Sequence, residues 1–318
     1  MTSKPIIVVA GATGAQGGGA ATALLEDPQQ RFAVRALTRD PQSPAAKALA
    51  DRGAQVVLAD FADPSTLDAA FAGAHGAFLV TNFWEHGSAA QEKDQIANLA
   101  AAAASAMLSH VVWSTLEDTR DLLPVSDPRM PVLQDAYNVP HFDAKGEGNR
   151  LFTEAGVPTT FLNTTFFYQG FIDGFAPRRG EDGELVLALP FEAQKRLAGV
   201  DVDDIGRTVL ALLAAGDAYV GKTVNLAGDH LTGSQYADII GEVIGERVRF
   251  DSIPYDVFRA APIPAAEEVA NMFQYYGDFE NEFTGARDLT ALRHLNPDLK
   301  YFRTWALENA DALKTATG

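Results

Sequence analysis

Six short runs rich in apolar or β-branched residues lie at 6–10, 33–38, 55–59, 76–81, 110–114 and 159–163. Stretches of helical character at 17–25, 45–52, 64–71, 89–106 and 143–155 separate them. Strands spaced by helices of this size predict βαβ units and a parallel sheet, because parallel neighbours need a long crossover. The strands are continuously apolar, as a sheet covered on both faces requires. The alanine-rich run 97–106 predicts a helix lying close on the sheet.

The rhythm breaks twice. Residues 122–140 contain four prolines and predict a long loop, a kind of segment that is uncommon and often functional. Residues 177–195 carry turn signals at Arg178-Arg179-Gly180 and Asp182-Gly183, which predict a small hairpin around 184–189. Beyond Val200 the pattern predicts a helix at 204–215, a strand at 223–226, a helix at 233–244, a strand at 247–252 and C-terminal helices. The expected class is α/β. A Rossmann doubly wound parallel sheet occupies 1–165, a segment near 195–228 returns to it, and 166–318 form mainly a smaller α+β C-terminal cap domain.

The first strand runs into Gly11-Ala12-Thr13-Gly14-Ala15-Gln16-Gly17, and a helix follows. In such a loop Gly11 allows the tight turn, Gly14 lets the backbone approach a pyrophosphate, and Gly17 lets the helix pack closely. The helix N-terminus offers N–H groups and a positive dipole end to phosphates. A nucleotide phosphate loop of the Gly-Lys-Ser/Thr kind is excluded, since no such triplet follows. The second strand ends Thr38-Arg39-Asp40. An arginine there accommodates a 2′-phosphate, whereas an acid would bind the ribose hydroxyl. Arg39, with a hydroxyl contact from Thr38, points to NADP, with NAD possible. Asp40 is the adjacent candidate partner for Arg39.

These residues, with Thr38-Arg39-Asp40-Pro41, Thr81-Asn82-Phe83-Trp84-Glu85 and His141-Phe142-Asp143-Ala144-Lys145-Gly146-Glu147, resemble the NmrA-like family of atypical short-chain dehydrogenases/reductases. The resemblance runs through Asn271-Met272-Phe273-Gln274-Tyr275 to Trp305. That family covers nitrogen-regulation redox sensors, their animal relatives, and NAD(P)H-dependent quinone and phenylpropanoid reductases. The resemblance implies that Asp60 and Phe61 flank the adenine. It places Thr81, Asn82 and Phe83 along the ribose and pyrophosphate, and Lys145 on the nicotinamide ribose. Phe166, Phe167 and Tyr168 would sit beside the nicotinamide.

The Tyr-x-x-x-Lys pair of the superfamily is absent: His141 stands four residues before Lys145. Histidine titrates near neutral pH, so His141 is a candidate general acid. Ser114 and Thr115 end the fifth strand, where the superfamily places a catalytic serine. Tyr137 supplies a phenol if the 122–140 loop folds over the site. Trp84, Phe166, Phe171 and Phe273, with Phe83, Phe167 and Tyr168, suit a flat aromatic or quinone substrate. The alternative is a sensor that binds the cofactor and regulates a protein partner, as a monomer or homodimer.

Composition narrows the rest. The chain has 318 residues, a net charge of −17 and no cysteine, so thiol nucleophiles and disulfides are excluded. Its acidity opposes direct nucleic-acid binding. No apolar run approaches a membrane span, the N-terminal stretch to Pro5 lacks a secretory pattern, and a cytoplasmic location fits. The scattered histidines show no metal-ligand spacing. Asp201-Val202-Asp203-Asp204 reads as a helix cap rather than a metal cluster.

Overall fold

The structure, a computed structural model, describes residues 4–317; the first three residues of the N-terminal stretch read above lie outside it. The chain begins β1 (Ile6–Val9), α1 (Ala15–Leu25), β2 (Ala33–Thr38), α2 (Pro44–Asp51), β3 (Gln55–Leu58), α3 (Pro64–Phe71), β4 (Gly76–Leu79), α4 (Ala89–Ser105), β5 (His110–Thr115), α5 (Pro140–Glu154) and β6 (Thr159–Asn163). It continues with β7 (Phe166–Phe167), β8 (Arg178–Arg179), β9 (Leu185–Leu189), β10 (Arg196–Val200), α6 (Val202–Ala214), β11 (Thr223–Asn225), β12 (Asp229–Thr232), α7 (Gly233–Ile244) and β13 (Val248–Ser252). The helices α8 (Tyr255–Arg259), α9 (Ala266–Asp278), α10 (Glu280–Gly285), α11 (Leu289–Leu295), α12 (Phe302–Glu308) and α13 (Ala310–Thr317) follow.

Local chemistry starts the helices where it should. Ser43, Asp63 and Ser88 accept backbone N–H bonds at the starts of α2, α3 and α4, and proline opens α2, α3 and α5. Seven strands form one parallel sheet in the order β3-β2-β1-β4-β5-β6-β11. The order reverses between β1 and β4, the crevice where ligands gather in such sheets. Alternate residues of β1 point to opposite cores. Ile7 and Val9 pack with α1 and α6, while Val8 and Ala10 pack with α3, α4 and Phe152 of α5.

The helix α6 lies against α1 backbone to backbone: a Cβ on Gly206 would stand 2.2 Å from the Gly19 carbonyl oxygen. Asp201 caps α6 through its side chain. The remaining strands make two three-stranded sheets, β12-β10-β7 and β13-β9-β8, the latter containing the β8–β9 hairpin. With helices α7 to α10, α12 and α13 they enclose an aromatic core. Among the described residues no helix is long and apolar enough to cross a membrane.

The stretch 122–140 is not an open flap. Leu123, Met130 and Val139 are buried. Asn271 Nδ2 of α9 donates to the carbonyls of Pro131 (2.9 Å) and Asn138 (2.6 Å), and Gln274 Nε2 donates to that of Arg129 (3.0 Å). Prolines deprive the loop of regular pairing, so side chains of α9 satisfy its carbonyls instead.

Candidate functional site

Gly11 has φ +59°, a conformation that favours glycine. A Cβ on Gly17 would lie 2.2 Å from the Gly11 oxygen and 2.3 Å from that of Ala10. The helix start therefore rests directly on the strand end. Gly14 caps α1 in an extended conformation, with no side-chain cap and no acid in the first turn. Thr13, Gly14 and Ala15 are exposed. The positive end of α1 thus faces solvent with no acid of its own first turn to offset it, an arrangement that fits a dinucleotide diphosphate.

Polar side chains from the ends of β4 and β5 meet others from α1, α4 and α5 beside this loop. Ser114 Oγ, buried at the end of β5, donates to Gln16 Oε1 at 2.6 Å. Thr115 Oγ1 donates to the Lys145 carbonyl (3.1 Å). Lys145 Nζ of α5 donates to Thr81 Oγ1 (2.7 Å) and O (3.0 Å) just past β4. It also pairs with Glu92 Oε1 of α4 at 2.6 Å. Thr81 Oγ1 donates to that same oxygen. The Glu92 side chain is wholly enclosed and that of Lys145 is nearly so. Burial pulls the Glu92 carboxyl up, but the Lys145 ammonium and the Thr81 hydroxyl outweigh it, so its pKa lies below the ordinary value. His86 Nε2 stands 3.4 Å from the second carboxylate oxygen.

His141 lies in the first turn of α5. Its backbone N–H donates to Glu268 Oε1 of α9 (2.8 Å), and its Nδ1 is 2.7 Å from the same oxygen. A carboxylate only accepts, so Nδ1 carries the proton and Nε2 is the free ring nitrogen. The half-exposed Trp84 packs on the imidazole with ring centroids 4.7 Å apart.

A family model described as the NmrA-like family matches residues 3–302. The chain belongs to the NmrA-like family. An NmrA-like family domain-containing oxidoreductase, malD of Malbranchea aurantiaca, is 30 % identical over 78 % of this chain and 76 % of its own. The negative transcriptional regulator NmrA, solved in complex with NADP, aligns at TM-score 0.77 and 21 % identity over 99 % of this chain and 98 % of its own. Its complex with NAD aligns at 0.79 with the same identity and coverage. The NADPH-dependent quinone oxidoreductase QOR2 of Escherichia coli aligns at 0.70 and 20 % identity, covering 97 % of this chain and 99 % of its own.

On this NmrA-like framework the expected residues separate into two groups. Gly11 to Gly17, Thr38, Arg39, Asp60, Phe61, Thr81, Asn82, Ser114 and Lys145 all lie at or just beyond the carboxyl ends of β1 to β5, or reach them from α5. Thr38 Oγ1 accepts from the Asp40 amide at 3.2 Å, and Asp60 Oδ1 from that of Ala62 at 2.9 Å. Arg39 does not pair with Asp40, which turns back to the Gln42 amide; its partner is Glu85, at 2.9 Å.

The second group packs differently from the expectation. Tyr168, Phe171 and Phe273 are each 0 % exposed. Phe171 lies 5.2 Å from Phe166 and 4.9 Å from Tyr236, Phe273 lies 5.4 Å from Phe175, and Tyr168 lies 5.0 Å from Phe302. In this conformation they form part of the aromatic core enclosed by the two smaller sheets and the C-terminal helices, with Tyr236, Phe302 and Trp305. Phe83 is likewise enclosed and Phe166 is buried within the cluster, against Phe171, Phe175 and Phe273, whereas Phe167 is half-buried and Trp84 is open. The Tyr137 hydroxyl is 3.5 Å from Glu147 Oε2, and its ring lies between Lys93 and Arg120. It stands with that ionic cluster and not with Ser114.

Glu92 and Glu268 are the acids that sequence reasoning passed over. The signal for Glu92 is its position: it shares the buried face of α4 with Ala89, Ile96 and Leu99. A carboxylate on an apolar stripe implies a buried cation nearby.

Proposed function

We propose that this chain is an NAD(P)H-dependent oxidoreductase that reduces an apolar aromatic, quinone or carbonyl metabolite, with NADP(H) preferred. The observation that carries the reading is the convergence of Lys145, Thr81, Ser114 and Gln16 beside the open N-terminus of α1. The activities named for the NmrA-like relatives support it. A bound nicotinamide supplies the hydride, and the chain positions both reactants. The first turn of α1 neutralises the diphosphate. Lys145, steered by Thr81 and Glu92, holds the nicotinamide ribose. Ser114 orients the reducible oxygen, and His141 is the proton donor through Nε2, its ring held by Glu268 at Nδ1. Trp84 offers an aromatic face to a flat substrate. The test is NADPH oxidation by the purified chain against a panel of quinones and aromatic ketones. Turnover that falls in His141→Phe supports the reading; no oxidation above background by any member overturns it.

One observation favours the second reading, a sensor that regulates a protein partner. The ring nitrogen Nδ1 of His141 is fully engaged by Glu268, and no free phenol stands with Lys145 among the described residues. NADPH-dependent capture of a partner, with no turnover, would establish it in place of the enzyme.

The dinucleotide preference has its own expected result. A charge-assisted bond from Arg39 to a 2′-phosphate is worth about 1.5–3 kcal/mol, or roughly one to two decades in affinity. Calorimetry should show NADPH binding tighter than NADH in the parent chain and equal affinities in Arg39→Ala.

A further inference from the structure

The strand order puts β1 between β2 and β4. Neighbouring strands lie about 4.8 Å apart, so the ends of β2 and β4 are roughly 10 Å from one another. Arg39 leaves the end of β2, and Glu85 sits in the single helical turn Phe83–Glu85 that follows β4. Their side chains nevertheless meet, Arg39 Nη2 to Glu85 Oε1, at 2.9 Å. The pair therefore spans the crest of β1, from which the glycine loop departs. Asn82 Nδ2 donates to the same carboxylate oxygen at 3.2 Å and pins it there. No other carboxylate among the described residues pairs with Arg39. Both side chains are solvent-accessible, 65 % for Arg39 and 42 % for Glu85, so the contact is an exchangeable surface ion pair.

We propose that Glu85 is a specificity-determining residue: a tethered anion that occupies Arg39 in the absence of a 2′-phosphate and so reduces the preference for NADP(H) over NAD(H). The inference rests on the dinucleotide reading of the glycine loop. A 2′-phosphate arriving at Arg39 must displace the Glu85 carboxylate, and it then sits close to a like charge. A ribose 2′-hydroxyl makes no such demand, and the Arg39–Glu85 bridge persists over the bound NAD(H). Glu85 thus acts against one dinucleotide and leaves the other nearly untouched.

The experiment compares the parent chain with Glu85→Gln, Arg39→Ala and the double variant. Dissociation constants are measured by calorimetry for NADPH, NADH, and the fragments 2′,5′-ADP and 5′-ADP. Glutamine keeps the shape of Glu85 at an exposed position, and an unchanged Tm verifies the fold. Glu85→Gln is expected to tighten NADPH and 2′,5′-ADP about three- to fivefold, with NADH and 5′-ADP changed less than about twofold. The gain should shrink as salt rises and vanish in the Arg39→Ala background. An unchanged NADPH/NADH ratio in Glu85→Gln, with both nucleotides still binding, overturns the role of Glu85 and leaves the cofactor reading standing. Failure of the parent chain to bind either dinucleotide overturns the cofactor reading itself.

Discussion

Gly17→Ala should destabilise the chain by about 3 kcal/mol or more, at the upper end of the cost of overpacking. The added methyl carbon would lie 2.2 Å from the Gly11 oxygen, 2.3 Å from the Ala10 oxygen and 2.4 Å from the Gly11 carbonyl carbon. All three are main-chain atoms, so no side chain can swing aside. Either α1 lifts off β1 or the loop changes course, and both separate α1 from α6, which it meets at the Gly19–Gly206 contact. Gly14→Ala is the contrast. Its Cβ would come no nearer than 3.3 Å, to the Gly11 oxygen, and its φ of −101° suits any residue. Stability should change by less than about 1 kcal/mol there, while the methyl enters the space proposed for the pyrophosphate. Urea denaturation with calorimetry on the same samples separates the two. Equal midpoints for Gly17→Ala and the parent would show that the strand–helix junction is not the rigid contact described.

Gly17 also shows why the fold was legible in the sequence. A local pattern, strand then Gly-x-x-Gly-x-x-Gly then helix, encodes a contact made within seven residues. The six strand runs of the first half have the same local character, and each appears in the sheet within two residues of the expected bounds. Boundaries set by tertiary contacts were less visible. The helix α5 begins at Pro140, not at 143: the proline opens it, and Glu268 from a distant helix accepts the His141 amide. The aromatics after β6 illustrate the opposite limit. A row of Phe and Tyr reads equally as pocket lining or core, and only the packing of Phe302, Tyr236 and Phe175 around them decides for the core. For Arg39, proximity in sequence favoured Asp40. Strand order instead brings Glu85, 46 residues away, over the same crevice.

Lys145→Ala should cost about 3–5 kcal/mol at neutral pH, because it strands the Glu92 carboxylate in an enclosed site. The side chains are 9 % and 0 % exposed and 2.6 Å apart, so solvent screens the pair little. In the parent chain Glu92 titrates below the ordinary glutamate value of 4.5. A depressed carboxyl contributes stability that is fully present above that value and lost as pH falls through the lower native one. In Lys145→Ala the sign reverses. With the ammonium gone, burial dominates and favours the neutral acid, so the variant gains stability as pH falls from neutral. The stability difference between parent and variant is therefore greatest near pH 7 and narrows towards pH 4. Because every other titrating group is shared, the difference isolates this pair. Replacing both partners, as Lys145→Met with Glu92→Leu, removes the stranded charge and should recover most of the loss. Chemical denaturation of the three proteins at pH 7, 5.5 and 4 provides the readout. A deficit that stays constant with pH would mean that Lys145 stabilises the fold through packing of its aliphatic stem. A deficit that narrows as described would mean that its charge does so, and that the ammonium proposed to hold a ribose is first of all the counter-ion of Glu92.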